Sequence, residues 1–175
     1  LLPLVLFLAS CSTPDNSEPP AELTTIENPE LVRELWSIDT GQGVVKKYVD
    51  MQPFVSDQKI YTIDTTGLIY RLDAKKGTPD WDFQTGLAAT AGLSGDAKRL
   101  IATSRNGEVA MYDYDAKGAR LRWKQQLSGE IRTRTVLDGE QAFVRAVDGK
   151  LTALGAADGK QLWTVTRRVP ALSLT

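Results

Sequence analysis

The 175-residue chain contains no histidine, and that one absence removes more chemistry than any motif adds. Without an imidazole there is no Ser-His-Asp or Cys-His couple and no His-ligated metal. Cysteine is nearly absent too. Cys11 stands alone, so no intrachain disulfide can form. Neither sign of charge is in excess: Lys and Arg number 21 against 22 Asp and Glu, for a net charge of −1. Affinity for a phosphate backbone needs concentrated cations, and no basic run occurs, so nucleic acid is not an expected partner. Long hydrophobic runs are missing as well. The apolar stretch LLPLVLFLAS over residues 1–10 is too short to span a bilayer as a helix. Nowhere in the body of the chain do apolar residues keep a 3.6-residue period. What remains, 42% apolar and 25% charged, is the composition of an ordinary globular core.

What the chain does have is a repeat. GLIYRLDAKKGTPDW (67–81), GEVAMYDYDAKGARLRW (107–123) and GKLTALGAADGKQLW (149–163) each run from a glycine through a short alternating segment and a polar turn to a tryptophan. Trp36, Trp81, Trp123 and Trp163 recur every 40 to 45 residues, the first in ELWSIDTGQG with only the closing half of the unit. Each complete unit reads as four short strands. These are 48–55, 59–64, 68–73 and 80–84, then 88–93, 99–104, 108–114 and 120–126, then 131–137, 141–146, 150–155 and 161–166. Four antiparallel strands per 40 to 45 residues describe a β-propeller blade. A blade cannot bury both faces alone, so neighbours must stack around an axis. The expected fold is an all-β propeller with about three blades present, residues 31–175 being an N-terminal piece of a longer protein. A Trp per blade predicts a packing role for Trp36, Trp81, Trp123 and Trp163, because a buried indole removes 150–250 Å² from water.

The N-terminus carries a different message. The run Leu8-Ala9-Ser10-Cys11 resembles the bacterial lipobox, with residues 1–10 the remnant of its signal peptide. That resemblance implies a lipidated Cys11 as mature N-terminus, and transfer to the outer membrane with the protein on its periplasmic face. Several acyl chains on one residue, at ~0.8 kcal/mol per buried CH₂, make a stable anchor. Residues 11–30 then read as the lipidated cysteine and a proline-rich tether, with a root-mean-square reach of roughly 25 Å. Asn28-Pro29-Glu30 could open a helical turn through Leu35.

Trp81-Asp82 invites a WD40 reading, but Trp123 precedes Lys, Trp163 precedes Thr, and the Gly-His element has no histidine to build it. The positions Gly149, Leu151, Ala153, Leu154, Asp158, Gly159 and Trp163, with Gly67, Ile69, Leu72, Asp73, Gly77 and Trp81, resemble instead the PQQ-like repeat. Lipobox, tether, Trp36 segment and such blades together resemble the BamB family, lipoproteins of the outer-membrane β-barrel assembly machinery. Val169-Pro170-Ala171-Leu172-Ser173-Leu174 is the sharpest local match. The resemblance implies an eight-bladed scaffold of the BAM complex, without catalysis, cofactor or small-molecule substrate. Its implied partners are the POTRA region of BamA and the other BAM subunits, with Leu172 and Leu174 contributing to the contact. The family usually continues with arginine where Thr175 stands. A quinoprotein-type dehydrogenase, or another periplasmic propeller binding module, is the alternative. A quinone site, however, needs stacking groups, a calcium carboxylate cluster and usually vicinal cysteines, and none of these is visible in the sequence.

Three local motifs lead elsewhere. Asp39-Thr40-Gly41 matches the aspartic-protease triplet, but the other repeats carry plain turns there and Gln42 is too large for the motif. Asp113-Tyr114-Asp115-Ala116-Lys117-Gly118 begins like a calcium loop and fails at Lys117 and Lys124. Arg132 and Arg134, alternating on an expected inner strand, point to one side as either a polar lining or a contact for an anionic partner.

Overall fold

A computed structural model describes residues 21, 22, 24, 33–43 and 49–167. The chain divides into two compact units, Leu1–Arg33 and Glu34–Thr175, and all the strands lie in the second. Residues 33–40 have no regular secondary structure, so no helical turn reaches Leu35.

Among the described residues every regular element is a strand. Blade 1 comprises β1 (Phe54–Ser56), β2 (Lys59–Ile63), β3 (Leu68–Asp73) and β4 (Pro79–Gln84). Blade 2 comprises β5 (Ser94–Gly95), β6 (Arg99–Thr103), β7 (Glu108–Tyr114) and β8 (Ala119–Gln126). Blade 3 comprises β9 (Val136–Asp138), β10 (Gln141–Arg145), β11 (Lys150–Gly155) and β12 (Gln161–Thr166). Each blade is a four-stranded antiparallel sheet with strands neighbouring in chain order. The all-β blade architecture expected from the repeat is what forms.

Alternation along the strands sends side chains to opposite neighbours. In blade 2, Leu100, Ala102, Ala110 and Tyr112 join Tyr61, Ile69, Trp81 and Leu87 in one core, shared with blade 1. Their sequence neighbours Ile101, Val109 and Met111 join Trp123, Ile131, Val144 and Leu154 in a second core, shared with blade 3. A strand with both faces covered must be apolar at successive positions, which explains LIAT in β6 and VAMY in β7. Each large side chain so buried contributes about 1.5–3 kcal/mol over exposure.

The third and fourth strands of every blade slip register at the same repeat position. The irregularity falls between Arg71 and Leu72, Met111 and Tyr112, and Ala153 and Leu154. In each case the residue before the slip pairs with the tryptophan: Arg71 with Trp81, Met111 with Trp123, Ala153 with Trp163. A bulge adds local twist and re-aims a side chain. Here it aims the indole at the next blade's turn. Trp81 Nε1 donates to the Asp115 carbonyl at 3.1 Å, and Trp123 Nε1 to the Ala156 carbonyl at 2.9 Å. Trp36 follows the same rule on blade 1, donating to the Ala74 carbonyl at 3.1 Å. The lone Trp36 segment therefore sits where the outer strand of a preceding blade would sit. Glycine is required beneath two of the indoles, those of Trp36 and Trp123. A Cβ at Gly159, where φ is +73°, would lie 2.7 Å from the Trp123 ring, and Gly77, at φ +68°, lies against Trp36 in the same way.

The innermost strands depart from the sequence expectation. They are short and displaced: 48–55 shrinks to β1, 88–93 gives way to β5, and 131–137 to β9. The alternating residues Leu87, Ala89, Ala91 and Leu93 are buried, but the segment bonds only loosely to its own blade. It does so through Thr90 N to the Thr103 carbonyl and Arg105 N to the Ala88 carbonyl, both at 3.4 Å, and otherwise bonds to its neighbours. Gly92 N donates to the Asp50 carbonyl at 2.9 Å, Thr90 Oγ1 to the Ile131 carbonyl at 2.6 Å, and Ser94 Oγ to the Thr135 carbonyl. Any Cβ at Gly92 would collide with the backbone of Gln52. Alternation reported burial correctly; it could not report which partner supplies the hydrogen bonds.

Candidate functional site

Cys11, Leu172 and Leu174 lie outside the described residues, as does the loop 169–174. The four tryptophans are all described. Trp81 is 9% and Trp123 7% exposed, while Trp163 is 39% exposed and lies against Phe143 of its own blade, at 5.9 Å between ring centroids. Trp36 is half-buried.

The two motifs discounted in the sequence are structural. In Asp39-Thr40-Gly41, Gly41 (φ +99°) packs on Asp64, whose Oδ2 accepts from Gln42 N at 2.9 Å. Asp64 Oδ1 accepts from Thr66 N, Thr66 Oγ1 and Leu68 N at 2.7 to 2.9 Å. Burial alone would raise this carboxyl, but those N–H and O–H donors outweigh it and hold it below its ordinary value. It is a buried knot joining residues 41–43 to blade 1. In the second motif Asp113 is gripped by Arg122 at 2.6 Å and Arg120 at 3.3 Å, while Asp115 caps its own turn on Lys117 N. Among the described residues no three of His, Cys, Asp and Glu converge as they would around a metal ion. The buried tyrosines belong to packing: desolvation pushes the Tyr112 hydroxyl up to about 12.

Arg132 and Arg134 are not on a strand. β9 begins only at Val136, so the alternation argument for their common direction does not hold. The chain from 130 to 135 is a crossing segment, held by Val147 N donating to the Glu130 carbonyl at 2.9 Å and Thr133 Oγ1 to the Arg145 carbonyl at 3.3 Å. Arg132 and Thr133 both line a cavity of about 280 Å³, with Arg145, Ala146, Val147 and Gly149 as its other walls. Glu130 lies beside it. Its Oε1 is 3.0 Å from Arg132 Nε and 3.0 Å from Arg105 Nε, and its Oε2 accepts from Arg132 Nη2 at 3.1 Å. The Arg132 hydrogen bond holds the Glu130 carboxyl below its usual range, with both arginine charges assisting against desolvation. Arg105 and Arg145 belong to no motif in the sequence. They stand 27 and 13 residues from Arg132; blade stacking brings Arg105 to Glu130, and the fold of blade 3 brings Arg145 to the cavity.

Blade 3 also carries most of the exposed large apolar side chains among the described residues. Val136, Val147, Leu162 and Val165 are each more than half exposed, and all of β12 is exposed. Arg167 N donates to the Gly149 carbonyl at 3.0 Å, so the chain passes the cavity's rim just before residues 169–174.

Comparison with known proteins gives this arrangement its context. The family described as "Outer membrane protein assembly factor BamB" matches residues 28–111 and 84–175. A BamB of Burkholderia pseudomallei is 28% identical over 171 residues, covering 98% of this chain and 43% of that protein. The Bordetella pertussis BamB is 26% identical over 173 residues, with 97% and 43% covered. The chain thus spans less than half the length of these relatives. Among solved structures, BamB from Moraxella catarrhalis superposes with a TM-score of 0.60 at 17% identity, covering 69% of this chain and 36% of that one. A europium-containing methanol dehydrogenase gives 0.64, also at 17% identity, over 79% and 27%. At such identities the two structures speak for the β-propeller fold alone.

Proposed function

The chain belongs to the family of the outer membrane protein assembly factor BamB, and from that premise we propose a non-catalytic scaffold of the outer-membrane β-barrel assembly machinery. In this reading it promotes folding and insertion of outer-membrane proteins by binding the POTRA region of the insertase BamA. Cys11, lipidated, holds it to the outer membrane, and residues 11–30 are the tether on which residues 31–175 face the periplasm. The complete ring has eight blades. Leu172 and Leu174 make the apolar part of the contact. The observation that carries the proposal is the family match itself, which runs without a gap from residue 28 to residue 175 and includes the Pro-Ala-Leu-Ser-Leu loop. Nothing specific favours the dehydrogenase reading, because the likeness to a methanol dehydrogenase is one of fold.

Co-purification tests it. The full-length protein, at native expression in a Gram-negative host, should bring the insertase with it. Failure to do so overturns the proposal. In the same protein, Leu172→Asp with Leu174→Asp should abolish capture and leave the melting temperature near that of the parent. If the double variant unfolds, the leucines are core and the interface assignment fails.

A further inference from the structure

We infer that the notch at the end of β10 in blade 3, walled by Arg132 and Arg145, receives a carboxylate from an acidic segment of a protein partner. The inference rests on the scaffold reading, and supplies the polar half of a contact whose apolar half was assigned to Leu172 and Leu174.

The chemistry starts from charge. The chain as a whole carries a net −1, yet Arg105 and Arg132 share the one carboxylate of Glu130, and Arg145 lines the same cavity as Arg132. The next carboxylate, Asp148, is taken by Lys150 at 2.8 Å, and Lys150 also donates to Ser128 Oγ at 2.8 Å. Arg145 has no carboxylate within ion-pair distance among the described residues. Each guanidinium offers five donors in a planar fork, and Glu130 occupies a minority of them. Fold stability does not account for the cluster: Arg105 and Arg132 are 51% and 55% exposed, and ion pairs that exposed contribute little.

Geometry makes the cluster a site. The walls come from fixed backbone, since Val147 N and Thr133 Oγ1 pin the crossing segment to the end of β10. A preformed cleft lowers the ordering cost of binding. The cavity, about 280 Å³, admits one acidic side chain, and the exposed Val147 gives its aliphatic stem a surface to lie on. Arginine pairs with carboxylate through two parallel hydrogen bonds, which favours a single oriented acid over diffuse charge. Nucleic acid and membrane fit less well. The first needs a track of cations along successive phosphates, and the second a cluster of four to eight basic residues. This is one point of contact. It is also placed for the partner, because Arg167 N bonds to Gly149 on the rim immediately before the segment carrying the two leucines.

The test uses the full-length protein in two arms. In the first, an octapeptide of alternating Glu and Leu is titrated while the arginine Nε–H resonances are followed. Arg132 and Arg145 should shift with this peptide, not with its Gln-Leu counterpart, and the shift should vanish in Arg132→Gln with Arg145→Gln or in 0.5 M salt. No shift at millimolar peptide overturns the inference. So does a stronger response to oligo-dT or to phosphatidylglycerol vesicles, which would assign the notch to nucleic acid or membrane. In the second arm, the double Gln variant, with an unchanged melt, should bind the insertase's isolated POTRA region about tenfold more weakly than the parent. Equal binding by parent and variant overturns the notch and leaves the scaffold reading standing. If the parent fails to bind POTRA yet takes the acidic peptide, the scaffold reading falls and the notch survives it.

Discussion

Trp123 and Trp163 occupy the same place in successive repeats, each opposite the same bulge, and differ only in what lies beyond them. Beyond Trp123 stands blade 3, whose turn offers the Ala156 carbonyl and the Gly159 platform; the indole is 7% exposed. Beyond Trp163 no described strand stands, and its indole is 39% exposed. The contrast shows that a blade does not bury its own tryptophan. Its own sheet aims the ring; the neighbour covers it. Stability in this architecture therefore resides largely in the interfaces between repeats.

The sharpest break of that contrast is a pair of truncations. Trp123→Ala removes a buried indole, a hydrogen bond and the ring on which Gly159 rests. It should destabilise the chain by about 3–5 kcal/mol. Trp163→Ala should cost about 1–2 kcal/mol, since 39% of its surface is already in contact with water and only its own blade packs on it. Urea denaturation of the two variants measures the difference. Equal losses would mean that the uncovered face is covered in solution.

A second pair separates the indole's platform from glycine's conformational freedom. Gly159 and Gly139 both have positive φ, +73° and +54°, but a Cβ at Gly139 meets nothing within 4 Å. Gly139→Ala should therefore show only the left-handed backbone cost, about 1 kcal/mol. Gly159→Ala adds a clash with the Trp123 ring and should reach about 2–4 kcal/mol. Indole fluorescence should report the displaced ring in the second variant only.

These pairs also mark what could be read in advance. Gly, Asp and Trp at fixed offsets located the outer three strands of each blade almost to the residue, because turns and a recurring large aromatic are local signals. The innermost strands were misplaced because Leu87, Ala89, Ala91 and Leu93 alternate like a strand while their backbone bonds are divided, Ala88 and Thr90 bonding the end of β6 and Gly92 bonding Asp50 ahead of blade 1. The basic notch was out of reach for a similar reason. Arg132 was visible as part of a motif, but Arg105 joins it across the blade interface and Arg145 through the pairing within blade 3, and neither signals its destination locally. The same holds for the Asp64 knot, since Gln42 and Leu68 are far apart in sequence from each other.

That knot offers a pH-dependent comparison between the first blade and the third. Ala146 holds in blade 3 the repeat position of Asp64, so only blade 1 ties its turn through a buried carboxylate. A carboxyl depressed on folding contributes stability that is present above its unfolded value near 3.9 and lost as pH falls through the folded one. Asp64→Asn should cost about 1–2 kcal/mol at pH 7 and flatten the stability curve below pH 4. Melting curves from pH 7 to pH 2 check it. A variant that keeps the parent's acid slope would locate the acid-labile groups elsewhere.

The smallest effect is expected on the uncovered face, and it tests the comparison most directly. Leu151 is the third-blade counterpart of Ile69 and Val109; those two are fully buried, whereas Leu151 is 39% exposed. Val109→Thr places a hydroxyl in the core between blades 2 and 3 with no partner, and should cost roughly 1–3 kcal/mol. Leu151→Thr leaves its hydroxyl hydrated and gives up only the part of the side chain that packs on its own sheet, less than about 1 kcal/mol. If Leu151→Thr instead costs as much as Val109→Thr, something in solution covers β11 and β12 as blade 3 covers blade 2. A second copy of the chain is the first candidate, and a concentration-dependent melting temperature would identify it.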